Sequence, residues 1–276
     1  MNTTHIPSPR FLPRRGTTLL TVAAAGAAVA LTACGGGKAA PSASSSSGAV
    51  TAEAPATQGE ANGSKAPKIL WMGDSIGEAE APALGAALKA SGAEFKSMAA
   101  AGGGGVIGEI AAPTWEQLPK ELKSFSPEVV VYQITTYDWG TAAEQKAGYK
   151  RLAKAVNDAG AELVMVSAPP FKIDDFYKPN EAAIKQAPKS AKAVADKSPG
   201  KVRFVDASAL WGTDSAAAKA QRSKDGIHSC QQGSAAFAKW LSGELGQRYS
   251  FEPAPADTWA TGAWTGDKVY GPLGCK

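Results

Sequence analysis

The sequence predicts an α/β fold in which helices cover both faces of a central parallel sheet, giving three layers. Short apolar runs of strand length alternate with longer helical segments across residues 68–247. The run at 128–133 is almost continuously apolar, which is typical of a strand buried on both faces. No internal repeat interrupts the alternation.

The individual elements follow from the same patterns. Strands are predicted at residues 68–72, 94–98, 128–133, 162–166 and 202–205. Helices are predicted at residues 79–92, 142–158, 180–197 and 233–247. Four consecutive glycines at 102–105 predict an irregular loop after the second strand. Because functional residues in parallel sheets follow the carboxyl ends of the strands, we expect the site at that edge.

Residues 1–34 have the pattern of an export signal. Arginines precede an apolar stretch at 19–31 that is too short to span a bilayer comfortably. The Leu31-Thr32-Ala33-Cys34 segment resembles the lipobox of bacterial lipoproteins, in which the cysteine is acylated. This resemblance implies an extracytoplasmic protein anchored to the cell membrane through Cys34. An ordinary signal peptide, or twin-arginine export through Arg14-Arg15, is the alternative.

Composition divides the rest of the chain. Residues 35–66 are mostly Ala, Ser, Gly, Pro and Thr, which predicts a flexible tether. One folded domain is expected at 67–250, followed at 251–276 by a tail that packs on it through aromatic side chains, with disorder as the alternative. The formal net charge is +4, and removing the three arginines of the export signal leaves +1 (4 − 3). Nucleic acid is therefore not an expected partner.

The cysteines predict a covalent link. With Cys34 assigned to lipid, Cys230 and Cys275 remain in an exported chain, where disulfides form. We expect them to be bonded, with two free thiols as the alternative. No metal or other cofactor is predicted, because the sequence has no CxxC pair and no second histidine outside the export signal.

Ser75 and His228 are the candidate catalytic residues. Ser75 falls at the turn between the first strand and the first helix, where a nucleophile would be exposed. The chain has two histidines, and His5 lies in the export signal, so His228 is the one available to the folded domain. Asp225 precedes it by three residues, close enough to fold back onto the imidazole Nδ1–H. Taken singly, a turn serine and a structural histidine are the alternatives.

Together, Gly73-Asp74-Ser75 and Asp225-Gly226-Ile227-His228 resemble the first and last motifs of the SGNH (GDSL-type) hydrolases. The resemblance implies a flavodoxin-like α/β/α fold, with Ser75 as nucleophile, His228 as general base and then acid, and Asp225 as the orienting carboxylate. It also implies that the Ser75 N–H and a loop glycine stabilise the oxyanion, with Gly105 preferred and Gly104 next. A merely flexible glycine loop is the alternative.

One motif of that family is altered. The usual Gly-x-Asn-Asp, whose asparagine completes the oxyanion hole, is replaced here at residues 134–139. Thr136 or Tyr137 takes the asparagine position, depending on register, and either hydroxyl has a proton to donate. In other enzymes, loss of one oxyanion donor costs roughly 2.7–4 kcal/mol of transition-state stabilisation. The change puts rate and acceptor specificity in question more than the fold.

These features predict a lipid-anchored serine esterase that removes acetyl-like O-acyl groups from a cell-envelope glycan or glycolipid. The first alternative is an O-acyltransferase with the same triad, and a membrane acyltransferase is then a candidate partner. The second is a non-catalytic glycan-binding envelope lipoprotein. A disulfide at Cys230 would hold the tail near His228, so Trp259, Trp264 or Tyr270 is a hypothetical wall of the substrate cleft. The alternative is that these rings seal the edge of the core.

Overall fold

The computed structural model describes residues 65–275, and the structural statements below concern those residues. The predicted export signal at 1–34, its lipidation site Cys34 and all but the last two residues of the predicted tether at 35–66 lie outside them. Within 65–275, no helix is both long enough and apolar enough to cross a membrane.

The centre of the fold is a five-stranded sheet in which every pairing is parallel. Its strands are β1 (Lys68–Met72), β2 (Glu94–Ser97), β3 (Val129–Gln133), β4 (Glu162–Val166) and β5 (Val202–Val205). Their order across the sheet is β2-β1-β3-β4-β5, the flavodoxin-like arrangement. The chain adds β2 on one side of β1 and then β3, β4 and β5 on the other side. The loops that leave β1 and β3 therefore face each other at the carboxyl edge of the sheet.

Six α-helices accompany the sheet. They are α1 (Ser75–Ala90), α2 (Ala112–Phe125), α3 (Ala142–Asp158), α4 (Glu181–Ala195), α5 (Ser208–Trp211) and α6 (Gln231–Tyr249). The predicted helices at 142–158 and 180–197 agree with α3 and α4 to within two residues. The first helix begins four residues before its predicted start because the Asp74 side chain accepts the Ile76 N–H at 3.0 Å and caps it at Ser75.

The sequence analysis missed α2 and the short α5. Two prolines hide the helical pattern of α2. Pro113 lies in the first turn, where its missing N–H would have no helical partner in any case. Pro119 lies inside the helix and interrupts the expected signal. Leu118 and Leu122 are buried against the sheet. Tertiary packing therefore stabilises a helix that the local sequence pattern does not predict.

Helices cover both faces of the sheet. On one face, Ile69, Trp71 and Val131 of the strands join a core with side chains of α1 and α6. On the other face, Leu70 and Tyr132 join a core with side chains of α2, α3 and α4. Successive side chains of β1 and β3 therefore point to opposite faces of the sheet and pack into two separate cores. The predicted three-layer α/β/α fold is confirmed.

The residues after α6 contain only short 3₁₀ turns, yet they lie against the domain. Trp259 and Tyr270 are buried, and the Trp264 indole donates to the Trp259 carbonyl oxygen at 2.7 Å. A disulfide joins Cys275 to Cys230, the residue that precedes α6. The end of the tail is thus attached two residues beyond His228.

Candidate active site

Ser75 is the first residue of α1 and follows the carboxyl end of β1. The preceding Asp74 is buried, and its two oxygens have different roles. One oxygen accepts the Ile76 N–H, while the other accepts the Thr136 N–H at 2.7 Å and the Thr136 hydroxyl at 2.8 Å. Burial raises the pKa of Asp74, and these hydrogen bonds oppose that rise. Asp74 therefore joins the turn that presents Ser75 to the loop that follows β3.

The segment before α6 is a tight loop that carries His228. Arg222 and Ser229 form an antiparallel bridge across its base, and the Ser223 N–H donates to the His228 carbonyl oxygen at 2.7 Å. The Arg222 guanidinium donates to the Ile227 carbonyl oxygen at 3.1 Å. These bonds hold the backbone on both sides of the imidazole.

A neighbouring loop braces the same segment. The Lys172 N–H, on the loop after β4, donates to the Gly226 carbonyl oxygen at 2.8 Å. Gly226 has a φ of +76°, and a Cβ there would lie 3.0 Å from the Lys172 Cβ. Glycine at this position therefore serves both the turn and the close approach of the two loops.

The structure brings Ser75, His228 and Asp225 into one hydrogen-bonded line. His228 Nε2 lies 2.8 Å from Ser75 Oγ, and His228 Nδ1 lies 2.7 Å from Asp225 Oδ2. Burial alone would raise the pKa of Asp225, but hydrogen bonds from Ser223, His228 and the Ile227 N–H lower it to about 2. An ionised carboxylate only accepts, so Nδ1 carries the imidazole proton and Nε2 is free to accept the Ser75 hydroxyl.

Two backbone groups near Ser75 suit an oxyanion. The Ser75 N–H opens α1 and has no acceptor among residues 65–275, as expected for a first-turn donor. Gly104 has a φ of +79°, and a Cβ there would lie 1.9 Å from the Gly73 carbonyl oxygen. The glycine loop therefore lies directly against the turn before Ser75.

Gly105, the preferred of the two predicted glycines, lies beside the loop after β3. A Cβ there would lie 3.2 Å from Thr135 Oγ1 and 3.3 Å from Asp138 Oδ1. Its neighbours belong to the loop after β3. Of the two predicted glycines, Gly104 is the one that the structure places against the Ser75 turn.

Thr136 and Tyr137, the two candidates for the family's asparagine position, have different surroundings. The Thr136 hydroxyl donates to Asp74, so its one proton is already committed. Tyr137 is half-buried, and its ring centroid lies 6.4 Å from that of Tyr177. Burial raises the pKa of Tyr137, which keeps the phenol protonated. Of the two candidates, Tyr137 is the one whose hydroxyl is not bound to a carboxylate.

Asp138 supports the site in a way that the sequence analysis did not recognise. It is buried, and one oxygen accepts the Val106 N–H at 3.2 Å, directly after the glycine loop. The other accepts the hydroxyls of Tyr132 at 2.6 Å and Tyr149 at 3.1 Å. Burial raises the pKa of Asp138 to about 6 despite these bonds. The only sequence signal was an acidic residue just after a buried strand, because its contact with the glycine loop joins residues 32 positions apart in the chain.

Glu80 is a second group that the sequence analysis did not single out. It lies fully buried on α1 and accepts a hydrogen bond from Gln133 Nε2 at 2.6 Å. Burial raises the pKa of Glu80 to about 8, and the positive charge of Arg222 opposes the rise. The Arg222 guanidinium lies 4.6 Å from the ring centroid of Trp211. Arg222 belongs to the loop that carries His228, so buried Glu80 lies in the electrostatic reach of that loop.

The positions of the tail aromatics do not support the hypothesis that they wall the substrate cleft. Trp259 and Tyr270 are buried, and Trp264 lines a groove of about 500 Å³ along α1 that neither Ser75 nor His228 lines. The structure favours the alternative in which these rings seal the edge of the core. Within residues 65–275, no cluster of three or more His, Cys, Asp or Glu side chains could hold a metal ion.

Comparison with protein families decides the relationship. A family model described as an SGNH domain fused to AT3 domains matches residues 43–237. The chain belongs to this SGNH family. The matched region contains both Gly73-Asp74-Ser75 and Asp225-Gly226-Ile227-His228, the two motifs that form the hydrogen-bonded line. The predicted family resemblance is confirmed.

Solved structures share the SGNH fold at low sequence identity. A serine-to-alanine variant of an acetyl esterase with an acetate ion aligns with a TM-score of 0.51 and 15% identity, over 66% of this chain and 98% of that one. A family 3 carbohydrate esterase from Talaromyces cellulolyticus gives 0.51 and 16%, over 66% and 98%. A protein described as a GDSL-like lipase from Bacteroides ovatus gives 0.51 and 13%, over 68% and 55%. No curated protein sequence matches the chain.

Proposed function

We propose that this SGNH protein is a serine esterase that removes O-acyl groups from a carbohydrate. The observation that carries the proposal is the line from Asp225 through His228 to Ser75, with contacts of 2.7 and 2.8 Å. These separations allow a proton to move from the hydroxyl to the imidazole without rearrangement of the loops.

Acylation follows from this geometry. Ser75 Oγ attacks the ester carbonyl carbon while its proton passes to His228 Nε2. The negative charge that develops on the carbonyl oxygen faces the Ser75 N–H and the Gly104 segment. Collapse breaks the bond to the alcohol oxygen, which leaves with the proton from His228. Asp225 stays ionised and stabilises the imidazolium in the meantime.

Deacylation reverses the roles. A water molecule adds to the acyl-enzyme carbonyl and gives one proton to His228 Nε2. The second tetrahedral intermediate expels Ser75 Oγ, which takes that proton back, and the carboxylic acid is released. No step needs a metal or an organic cofactor, because the triad supplies the nucleophile, the base and the acid.

Hydrolysis rather than transfer is favoured by the exposure of the triad. The side chain of His228 is 17% exposed and that of Asp225 is 36% exposed, so water reaches the base from the surface. A transferase protects its acyl-enzyme by excluding water. The family description, with its fusion to AT3 domains, keeps an O-acyltransferase as the alternative. Product analysis with and without a glycan acceptor separates the two activities.

The substrate and location complete the proposal. Two proteins that share the fold are named as an acetyl esterase and a carbohydrate esterase, which supports a short acyl group on a sugar. The lipobox-like segment ending at Cys34 supports a lipid anchor and an extracytoplasmic position. A tethered enzyme would meet acylated glycans or glycolipids of the cell envelope.

Hydrolysis of 4-nitrophenyl acetate tests the chemistry. Ser75→Ala and His228→Ala should each abolish most of the rate, since the triad acts as a unit. Asp225→Asn should lower kcat by roughly 10⁴-fold, as loss of the orienting carboxylate does in other triads. Ser124→Ala, at an exposed position on α2, is the matched control and should keep the parent rate.

Covalent labelling distinguishes the remaining alternative. A fluorophosphonate should modify Ser75 in the parent and leave Ser75→Ala unlabelled. A parent that resists the label and hydrolyses neither 4-nitrophenyl acetate nor O-acetylated glycans would instead be the non-catalytic glycan-binding lipoprotein.

A further inference from the structure

Five aromatic side chains gather beside the Ser75 turn, and no step of the proposed hydrolysis uses their rings. We call them the aromatic platform, which consists of Tyr137, Trp139, Phe171, Phe176 and Tyr177. The ring centroid of Tyr177 lies 5.0 Å from that of Phe176 and 5.1 Å from that of Phe171. Phe176 lies 5.7 Å from Trp139 and 6.3 Å from Tyr137. The rings meet tilted or edge to face, which stabilises them as a preformed unit.

The platform is attached to both catalytic loops. Tyr137 directly follows Thr136, which donates to Asp74 beside the nucleophile, and the ring centroid of Tyr137 lies 6.4 Å from that of Tyr177. At its other end, the Lys172 N–H next to Phe171 donates to Gly226 of the loop that carries His228. The rings are therefore fixed in position relative to the Ser75–His228 pair.

Phe176 is the exposed end of the platform. Its relative exposure is 57%, and it is the only large hydrophobic residue between 65 and 275 that is exposed. The turn that displays it is fixed, because Asp174 Oδ1 accepts the N–H groups of Phe176 at 3.0 Å and Tyr177 at 3.2 Å. An apolar ring held rigidly at the surface next to a catalytic site is a feature of ligand recognition.

The surroundings of Phe176 are polar. Lys172, Asp175 and Lys178 are exposed on the same loop. Trp139 lines a cavity of about 390 Å³ together with Glu144 and Arg151, which offer an acceptor and donors. A fatty acyl chain would favour an apolar pocket such as that of about 310 Å³ lined by Phe171 and Ile173, which Phe176 does not line. A sugar has an apolar ring face and a rim of hydroxyls. An exposed aromatic face with charged neighbours matches the sugar.

We infer that the aromatic platform binds a sugar ring of the substrate, stacked on Phe176, while the acyl group lies at Ser75. The inference rests on the proposed esterase function for the identity of the substrate. Phe176 contacts the Tyr137 and Tyr177 rings and not the Asp74–Ser75 turn itself, so we place there a second sugar ring, next to the one that carries the acyl group. The platform therefore selects an oligosaccharide or polysaccharide.

Kinetics on two substrates test the platform. One is 4-nitrophenyl acetate, and the other is a set of chemically O-acetylated oligosaccharides of xylose, mannose and N-acetylglucosamine. In Phe176→Ala, the kcat/KM for the oligosaccharide divided by that for the small ester should fall about tenfold through KM, the size of one lost ring contact. Phe125→Ala, a ring on α2 that faces Lys68 at the start of β1, is the control and should keep the parent ratio.

Two conservative variants identify the occupant. Phe176→Tyr keeps the ring face and should restore the parent ratio. Phe176→Leu keeps an apolar side chain without a ring face and should behave like Phe176→Ala. If Phe176→Leu retains the parent ratio, or if Phe176→Ala instead weakens selection among 4-nitrophenyl esters of increasing chain length, the occupant is an acyl chain and the inference is overturned.

A binding measurement separates this inference from the esterase proposal. Calorimetric titration of Ser75→Ala with the same O-acetylated oligosaccharides should show binding. The Kd of Ser75→Ala/Phe176→Ala for them should be about tenfold higher. Such binding without hydrolysis by the parent would contradict the esterase proposal and leave the platform in place. Hydrolysis of small esters with no Phe176-dependent binding of any oligosaccharide would contradict the platform alone.

Discussion

Thr136 donates both its backbone N–H and its hydroxyl to one oxygen of Asp74, at 2.7 and 2.8 Å. This double contact joins the nucleophile turn to the loop after β3 across the sheet. It also occupies the hydroxyl proton that an oxyanion donor would need. Thr136, one of the two candidates for the family's asparagine position, is thus part of the support for Ser75.

Replacing Thr136 tests this role. Thr136→Val keeps the shape and the N–H contact but removes the hydroxyl bond to a buried carboxyl group. We expect the free energy of unfolding to fall by about 1.5–3 kcal/mol and kcat/KM on 4-nitrophenyl acetate to fall by less than about tenfold. Urea denaturation and steady-state kinetics measure the two effects, with exposed Thr213→Val as the control. A loss of 10²–10³ in kcat with unchanged stability would show that the hydroxyl serves the oxyanion after all.

The glycine loop gives a prediction with a neighbouring control. Gly104→Ala would place a Cβ 1.9 Å from the Gly73 carbonyl oxygen at a φ of +79°, so the loop must move away from the Ser75 turn. We expect kcat on 4-nitrophenyl acetate to fall by at least about 10²-fold, as for loss of an oxyanion donor. Gly103→Ala has no atom within 4 Å of its Cβ and should stay close to the parent rate. Equal rates for the two variants would exclude Gly104 from the oxyanion site.

Burial of Glu80 makes stability depend on pH. The unfolded carboxyl loses its proton near its ordinary pKa of 4.5, whereas the folded one keeps it to about 8. The unfolded state therefore binds fewer protons between these values, and the free energy of unfolding should fall as pH rises through them. Asp138, with its pKa raised to about 6, adds a fall in the same direction at lower pH.

Glu80→Gln isolates the contribution of Glu80. Its free energy of unfolding should vary less than that of the parent between pH 6.5 and 8, because most of the Asp138 contribution is already lost by pH 6.5. Urea denaturation at pH 5, 6.5 and 8 measures the slopes, and Glu116→Gln on the surface of α2 is the control. A parent whose stability rises from pH 6 to pH 8, with the same slope in Glu80→Gln, would contradict the assignment.

The disulfide should stabilise the domain through the chain that it closes. Cys230 and Cys275 are 45 residues apart, for which chain entropy predicts about 4 kcal/mol. The Cys230→Ser/Cys275→Ser double variant should unfold at lower temperature than the parent, and dithiothreitol should lower the Tm of the parent alone. Activity should fall less steeply than stability, because Ser234 Oγ still donates to the Ala79 carbonyl oxygen and holds α6 on α1. A reductant-insensitive parent would rule out this stabilising role.

Local sequence determined much of the architecture. Apolar runs of four to six residues separated by helix-length segments are typical of a buried parallel sheet. The predicted strand bounds agree with the observed ones to within one residue. Ser75, Asp225 and His228 were recognisable because each stands in a short motif at the end of an element. Helix α2 escaped because Pro113 and Pro119 oppose the pattern, and only packing against the sheet stabilises it.

Tertiary structure alone decided how the site is completed. The approach of Gly104 to Gly73, the commitment of Thr136 to Asp74, and the contact of Asp138 with Val106 all join segments that are apart in the sequence. The aromatic platform likewise assembles from two loops that no spacing rule connects. Sequence patterns report which residues a backbone segment can bury or expose, whereas these contacts depend on where the sheet places the loop ends, a property of the fold as a whole.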